Sequence, residues 1–211
     1  MSSRIIIIGG GTAGISIAAR LRRAEPGAQV TIIDPAERHY YQPLWTLVGG
    51  GLAEFDETDR SMLSLIPEGV VWLQQEVASI LPDENKVVIA DGKTIPYDAL
   101  VVVPGIRLAF EEIAGLEAAL KNDPKVWTNY AAHSVQKGKK AIAAFTGGKA
   151  WFTFPNSPVK CGGGPQKIMW IAETSLRKNQ VREKSEVHFV APGGAIFGVP
   201  KYRDALQILV E

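Results

Sequence analysis

Cysteine is nearly absent: Cys161 is the single example in 211 residues. One thiol excludes an intrachain disulfide and any multi-cysteine metal site. Histidine is scarce as well. His39, His133 and His188 are scattered, and neither HExxH nor GxSxG occurs. No metal site is expected. Charge of either sign is not in excess, with a formal net charge of +1. There is no global pull toward nucleic acid or acidic lipid, and no nucleic-acid partner is expected. Long apolar runs are missing. Ile5–Ile8 is stopped at once by glycine, far short of a spanning helix. The start lacks the basic segment and small-residue cleavage site of a signal peptide. The composition suits a reducing cytosol, and no solenoid repeat or low-complexity tract is present.

What is present is a sequence of ordinary globular hydrophobicity, punctuated by glycine and proline. Arg4–Ile8 reads as a buried strand. Thr12–Ala24 reads as a helix, with Gly14, Ile17, Ala18 and Leu21 on one face. Pro26-Gly27 ends it, and Gln29–Ile33 forms the next strand, closing a βαβ unit. Arg38–Pro43 reads as a polar and aromatic loop and Thr58–Ile66 as a short helix. Val70–Leu81 reads as extended. Lys86–Ala90 and Thr94–Pro96 flank Asp91-Gly92, a hairpin signal. Ala99–Val103 is another strand; Glu111–Lys121 and Tyr130–Phe145 are helices.

After Gly147-Gly148 the pattern restarts: strand Ala150–Phe154, a cysteine-bearing loop, helix Pro165–Lys178 and strand Glu186–Ala191. Tyr202–Val210 reads as a further helix. The expected class is α/β, with two Rossmann-like, FAD- or NAD(P)-binding βαβ units, the second incomplete. The expected domains are 1–110, dinucleotide-binding; 111–148, a helical connection; and 149–211, the start of the second unit. Lys137-Gly138-Lys139-Lys140 and Arg22-Arg23 read as solvated helix faces. Trp151 and Trp170 read as core, and His188 as sheet packing.

Gly9-x-Gly11-x-x-Gly14 follows a strand and opens a helix. The first glycine permits a tight turn, the second lets backbone approach a pyrophosphate, and the third packs helix on strand. The helix N-terminus offers Thr12 and Ala13 with a positive dipole end. Asp34 lies 20 residues past Gly14, where a carboxylate can accept from a ribose diol. In that context the pattern marks a dinucleotide site without separating NAD from FAD.

The corresponding place in the second half holds Cys161-Gly162-Gly163-Gly164-Pro165, which does not fit the same pattern. A second nucleotide site is therefore not expected. Lys160 and the following helix N-terminus should favour the thiolate, which is the nucleophilic form. The plainer alternative is a buried structural cysteine; the loop position, glycines and lysine favour function.

Three stretches are far rarer than a glycine fingerprint. They are Phe154–Lys167, Arg38–Gly49 and Gly194–Tyr202. On these the chain resembles sulfide:quinone oxidoreductases, most closely the group that includes the mitochondrial enzyme. The resemblance implies FAD as cofactor, lined by Gly9, Gly11, Thr12, Ala13, Gly14, Asp34, Gln42, Val77 and Gly105. Family members often have glutamate where Asp34 stands, and threonine is common in the wider superfamily where Pro104 stands. Cys161 matches the flavin-facing redox cysteine, and Lys167 a lysine that steadies anionic sulfur or reduced flavin. In the family a second cysteine completes a sulfur-bridged pair that sulfide attacks. The flavin-side thiolate donates into the isoalloxazine ring, quinone takes two electrons, and sulfane sulfur leaves to an acceptor thiol.

The resemblance also implies peripheral attachment to the inner, cytoplasmic face of a membrane by C-terminal helices. These residues lack the second cysteine, the later strand that closes an FAD domain and those docking helices, so a fragment is expected. Two other readings stay open. One is a related NADH:quinone reductase, the other a non-catalytic nucleotide-binding remnant.

Overall fold

A computed structural model describes residues 2–210. Met1 and Glu211, the outer bounds of the expected domains, lie outside them. The chain divides into two compact units. The first is Met1–Tyr41 with Asp59–Arg107, and the second is Gln42–Thr58 with Leu108–Glu211.

The first unit is built on β1 (Arg4–Ile8), α1 (Thr12–Ala24), β2 (Gln29–Ile33), β5 (Val70–Leu73) and β9 (Ala99–Val102). These strands form a parallel sheet in the order β5-β2-β1-β9. The run of isoleucines in β1 serves both faces of it, because side chains alternate along a strand. Ile7 faces Ala18 of α1 together with Val30 and Ile32. Ile6 and Ile8 face the other way, onto Val87, Ile89 and Tyr97. That second cover is an antiparallel sheet of β6 (Val77–Leu81), β7 (Lys86–Ile89) and β8 (Thr94–Pro96). Ile6, Ile7, Val30, Ile32 and Ile33 are at most 2% exposed. Each such side chain contributes roughly 1.5–3 kcal/mol. Gly92 turns the β7–β8 hairpin at φ +86°, a left-handed conformation that glycine enters freely.

Residues 38–43 and 58–66 depart from expectation. Arg38–Tyr40 is a strand, β3, paired antiparallel with β4 (Asp59–Ser61). The expected helix over Thr58–Ile66 is thus β4 followed by a 3-10 turn at Leu63–Leu65. Arg38 Nε donates to Asp59 Oδ1 at 2.8 Å across this pair. A partner distant in sequence overrode the local helical pattern.

The second unit contains α2 (Trp45–Gly49), α3 (Leu116–Asn122), α4 (Ala132–Ala143), β10 (Gly148–Thr153), α5 (Gly164–Lys178), β11 (Ser185–Val190) and α6 (Pro200–Ile208). β10 and β11 are parallel, with α5 crossing between them. Ile142, Ile168 and Ala172 form a core with Trp127 and Phe152. The expected helix over Glu111–Lys121 begins only at Leu116. Gly115 adopts φ +79°, which breaks the helical path, and Phe110–Glu112 is a separate 3-10 turn.

Three further expectations are corrected. Lys137 is more than a solvated face: its Nζ donates to the carbonyls of Leu120, Asp123 (3.0 Å) and Val126 (3.1 Å). It thereby supplies a donor to carbonyls at and just beyond the end of α3. Arg22 likewise donates to the carbonyls of Pro26 and Ala28. Trp151 is no core residue: it is 57% exposed and stacks on His188, ring centroids 4.1 Å apart.

Candidate functional site

In the first unit the glycine turn joins β1 to α1. Gly9 has φ +105°, and a Cβ there would lie 2.3 Å from the Val103 carbonyl oxygen. Its N–H donates to the Ile33 carbonyl at 2.9 Å, carrying the sheet ladder into the turn. Gly14 is tighter still: a Cβ would lie 1.9 Å from the Gly9 carbonyl oxygen. Gly11 is the opposite case. It has extended backbone, caps α1 without a side chain, and a Cβ there would meet nothing within 4 Å. Two glycines therefore exist for the fold, and the one between them leaves open space. Thr12 and Ala13 begin α1, whose N-terminus has no side-chain cap.

Asp34 stands at the end of β2 and reaches the same turn. Its Oδ2 accepts from the Gly10 N–H at 2.6 Å and its Oδ1 from the Ala36 N–H at 2.8 Å. The Trp72 indole N–H donates to the Asp34 carbonyl at 3.0 Å. A carboxylate has about four lone-pair positions, so these bonds fix Asp34 and leave capacity for a diol. An open helix N-terminus, a glycine with space before it and a fixed carboxylate fit a pyrophosphate and its ribose.

Gly105 follows β9 at φ +80° with open space at its Cβ position. Val77 begins β6, and its side chain packs on the core around Ile6 and Ile8. What Val77 can offer a ligand is its backbone.

The remaining candidates belong to the second unit. Gln42 is exposed at the start of a 3-10 turn, and its Oε1 accepts from Lys160 Nζ. Cys161 is a free, exposed thiol in the loop between β10 and α5. The Cys161 carbonyl accepts from the Gly164 N–H at 2.7 Å, making the turn that launches α5. Pro165 follows in the first turn of α5, where a missing N–H costs little. Lys167 is exposed near the N-terminus of α5, its N–H donating to the Gly163 carbonyl at 2.9 Å. Cys161 is therefore not the buried structural cysteine of the plainer reading.

Several contacts around the cysteine loop carried no signal in the sequence. Tyr130 donates from its hydroxyl to the Cys161 carbonyl at 3.2 Å. Burial, and secondarily the charge of Cys161, push the Tyr130 phenol up to about 12, so it stays a donor. Lys160 Nζ lies 5.3 Å from the ring centroid of buried Trp45. Partial desolvation of that ammonium lowers its pKa from the ordinary lysine value, although the residue as a whole is exposed. Buried Gln166 donates from its side chain to the Ile196 carbonyl, tying α5 to the glycine-rich segment after β11.

The pattern that describes pyridine nucleotide-disulphide oxidoreductases matches residues 3–164, and the chain belongs to that family. Three of its curated relatives are named sulfide:quinone oxidoreductase, mitochondrial. The mitochondrial protein of Mus musculus is 46% identical over 207 residues, covering 98% of this chain and 46% of the relative. That of Dictyostelium discoideum is 39% identical over 211 residues, covering 99% and 46%. The X-ray structure of the sulfide:quinone oxidoreductase from Aquifex aeolicus superposes with a TM-score of 0.81 at 22% identity, over 99% of this chain and 48% of that one. The fold is thus that of flavin-binding oxidoreductases. The chain spans about half the length of the curated relatives it matches.

Proposed function

We propose that this chain supplies the dinucleotide-binding and thiol-bearing half of a sulfide:quinone oxidoreductase. The observation that carries the reading is Cys161 itself. It is exposed in the β10–α5 loop, the place where a second nucleotide turn would otherwise stand.

FAD is the cofactor, and when bound it supplies a two-electron acceptor. Gly9, Gly11 and Gly14 shape its pyrophosphate turn, with the N–H groups of Thr12 and Ala13 toward the phosphates. Asp34 accepts from the ribose. Val77 and Gly105 contribute backbone and Gln42 its side-chain amide. Cys161 is the thiol that passes electrons onward, and Lys167 steadies negative charge during that transfer. Residues 1–110 act as the dinucleotide-binding part, 111–148 as a connection, and 149–211 as the start of the thiol-bearing part.

For the whole protein the reaction is sulfide plus an acceptor thiol plus quinone, giving a persulfide plus hydroquinone. Sulfur loses two electrons, and quinone gains them with two protons. The partner cysteine of Cys161 would come from outside these residues. Among the described residues no helix is long and apolar enough to cross a membrane. The protein would meet quinone peripherally, at the inner, cytoplasmic face.

The test is the visible spectrum of FAD-loaded protein mixed anaerobically with sulfide, compared with Cys161→Ser. Sulfide should bleach the wild-type flavin or raise a long-wavelength band, and the variant should do neither. Equal spectral change in both proteins would overturn the role of Cys161.

A further inference from the structure

We infer that Tyr130 and Lys160 are positioning residues that fix the loop at Cys161, and this rests on the reading of Cys161 as the reacting thiol. Tyr130 engages two successive residues of the cysteine loop. Its hydroxyl donates to the Cys161 carbonyl at 3.2 Å, and its own carbonyl lies 3.5 Å from Lys160 Nζ. Lys160 continues the chain of contacts. Its ammonium donates to Gln42 Oε1 and sits over the Trp45 ring at 5.3 Å. Trp45 is buried, so it offers a fixed wall rather than a mobile one.

Local geometry shows how closely the tyrosine fits. A Cβ on Gly164 would come 3.0 Å from the Tyr130 hydroxyl and 3.8 Å from the Cys161 Cβ. Glycine at 164 thus lets the phenol reach the turn. The turn in turn fixes the Cys161 carbonyl, which also accepts from the Gly164 N–H. A thiol on an exposed, proline-bearing loop would otherwise sample many positions, and a reacting thiol must be held near one. The phenol fixes the backbone of the cysteine itself. The ammonium fixes the residue before it, through a charge-assisted hydrogen bond and a cation–π contact.

The single thiol makes the test clean. Hydrogen exchange of the Gly164 N–H, which bonds the Cys161 carbonyl at 2.7 Å, and the rate of maleimide labelling of Cys161 would be read in wild type, Tyr130→Phe, Lys160→Met and Lys160→Arg. No flavin or sulfide is needed. In Tyr130→Phe and Lys160→Met this amide should exchange about tenfold faster, as when one partly desolvated hydrogen bond is lost. Maleimide labelling should quicken in parallel in Tyr130→Phe, whereas in Lys160→Met the lost positive charge disfavours the thiolate and amide exchange is the deciding readout. Lys160→Arg, which keeps the charge and the donor, should stay near wild type. Unchanged exchange in Tyr130→Phe and Lys160→Met would overturn the inference, as would an arginine variant as fast as the methionine one. Should a variant fail to fold by circular dichroism, Gln42→Leu breaks the same link from the other side and must give the same acceleration. A loop that loosens in a protein inert to sulfide refutes the functional reading alone. A sulfide-reactive protein whose loop is indifferent refutes the positioning role alone.

Discussion

Gly11→Ala and Gly14→Ala, three residues apart in one motif, should fail in different ways. At Gly14 a methyl group would stand 1.9 Å from the Gly9 carbonyl oxygen and 3.0 Å from its carbon. An ordinary carbon–oxygen contact is roughly 3.3–3.6 Å, so β1 and α1 must part by about 1.5 Å. Backbone displacement of this kind costs about 1–3 kcal/mol or more. The helix-propensity gain of alanine over glycine returns only about 1 kcal/mol. A net loss of about 1 kcal/mol or more follows, which lowers a urea midpoint by about 0.5 M or more for a slope near 2 kcal/mol/M. At Gly11 the backbone is already extended and a Cβ meets nothing within 4 Å. Losing glycine at an N-cap costs ~0.5–1 kcal/mol, and the reduced freedom of the unfolded chain returns ~0.4–1 kcal/mol. Gly11→Ala should therefore unfold at nearly the wild-type urea midpoint. Its methyl would occupy the space a pyrophosphate needs, so FAD affinity should fall about tenfold or more, ~1.4 kcal/mol. Urea unfolding followed by tryptophan fluorescence, with FAD titration beside it, reads both effects. A Gly11→Ala protein as destabilised as Gly14→Ala, or one that binds FAD like wild type, would refute these separate roles.

Gly138→Ala should destabilise the second unit by about 1–2 kcal/mol in urea unfolding, because its Cβ would stand 2.4 Å from the Trp127 ring and the propensity gain offsets only part of the cost. Ser134→Ala should cost about 1–2 kcal/mol by the same assay, because the fully buried Ser134 hydroxyl accepts the Thr128 N–H at 2.9 Å. Asp98 should titrate by NMR at about 2, below the usual 3.8, because the Arg4 guanidinium and backbone N–H bond its carboxylate. The folded pKa is the lower one, so this stability is fully present above pH 3.8 and lost as pH falls through about 2. Asp98→Asn should lose that part of the acid dependence.

The first βαβ unit was legible because its signals are local. Strand, glycine turn, helix and carboxylate lie within Arg4–Asp34, and each follows from spacing. The hairpin at Asp91-Gly92 was legible for the same reason. Residues 38–43 and 58–66 were not, because β3 and β4 find one another across α2. The site divided along the same line. Cys161 and the glycines announce themselves by residue type, whereas Tyr130 and the ring contact of Lys160 depend on elements distant in sequence. Lys137 and Arg22 misled because a basic residue that binds carbonyls reads in sequence like one that faces water.

The most direct measurement is an anaerobic comparison of sulfide with NADH as reductant of the FAD-loaded protein, followed in the visible spectrum. Sulfide alone should change the flavin absorbance and NADH alone should not, because the β10–α5 turn carries a cysteine loop in place of a nucleotide turn. Bleaching by NADH without a response to sulfide would contradict that expectation and make this a pyridine-nucleotide-driven reductase.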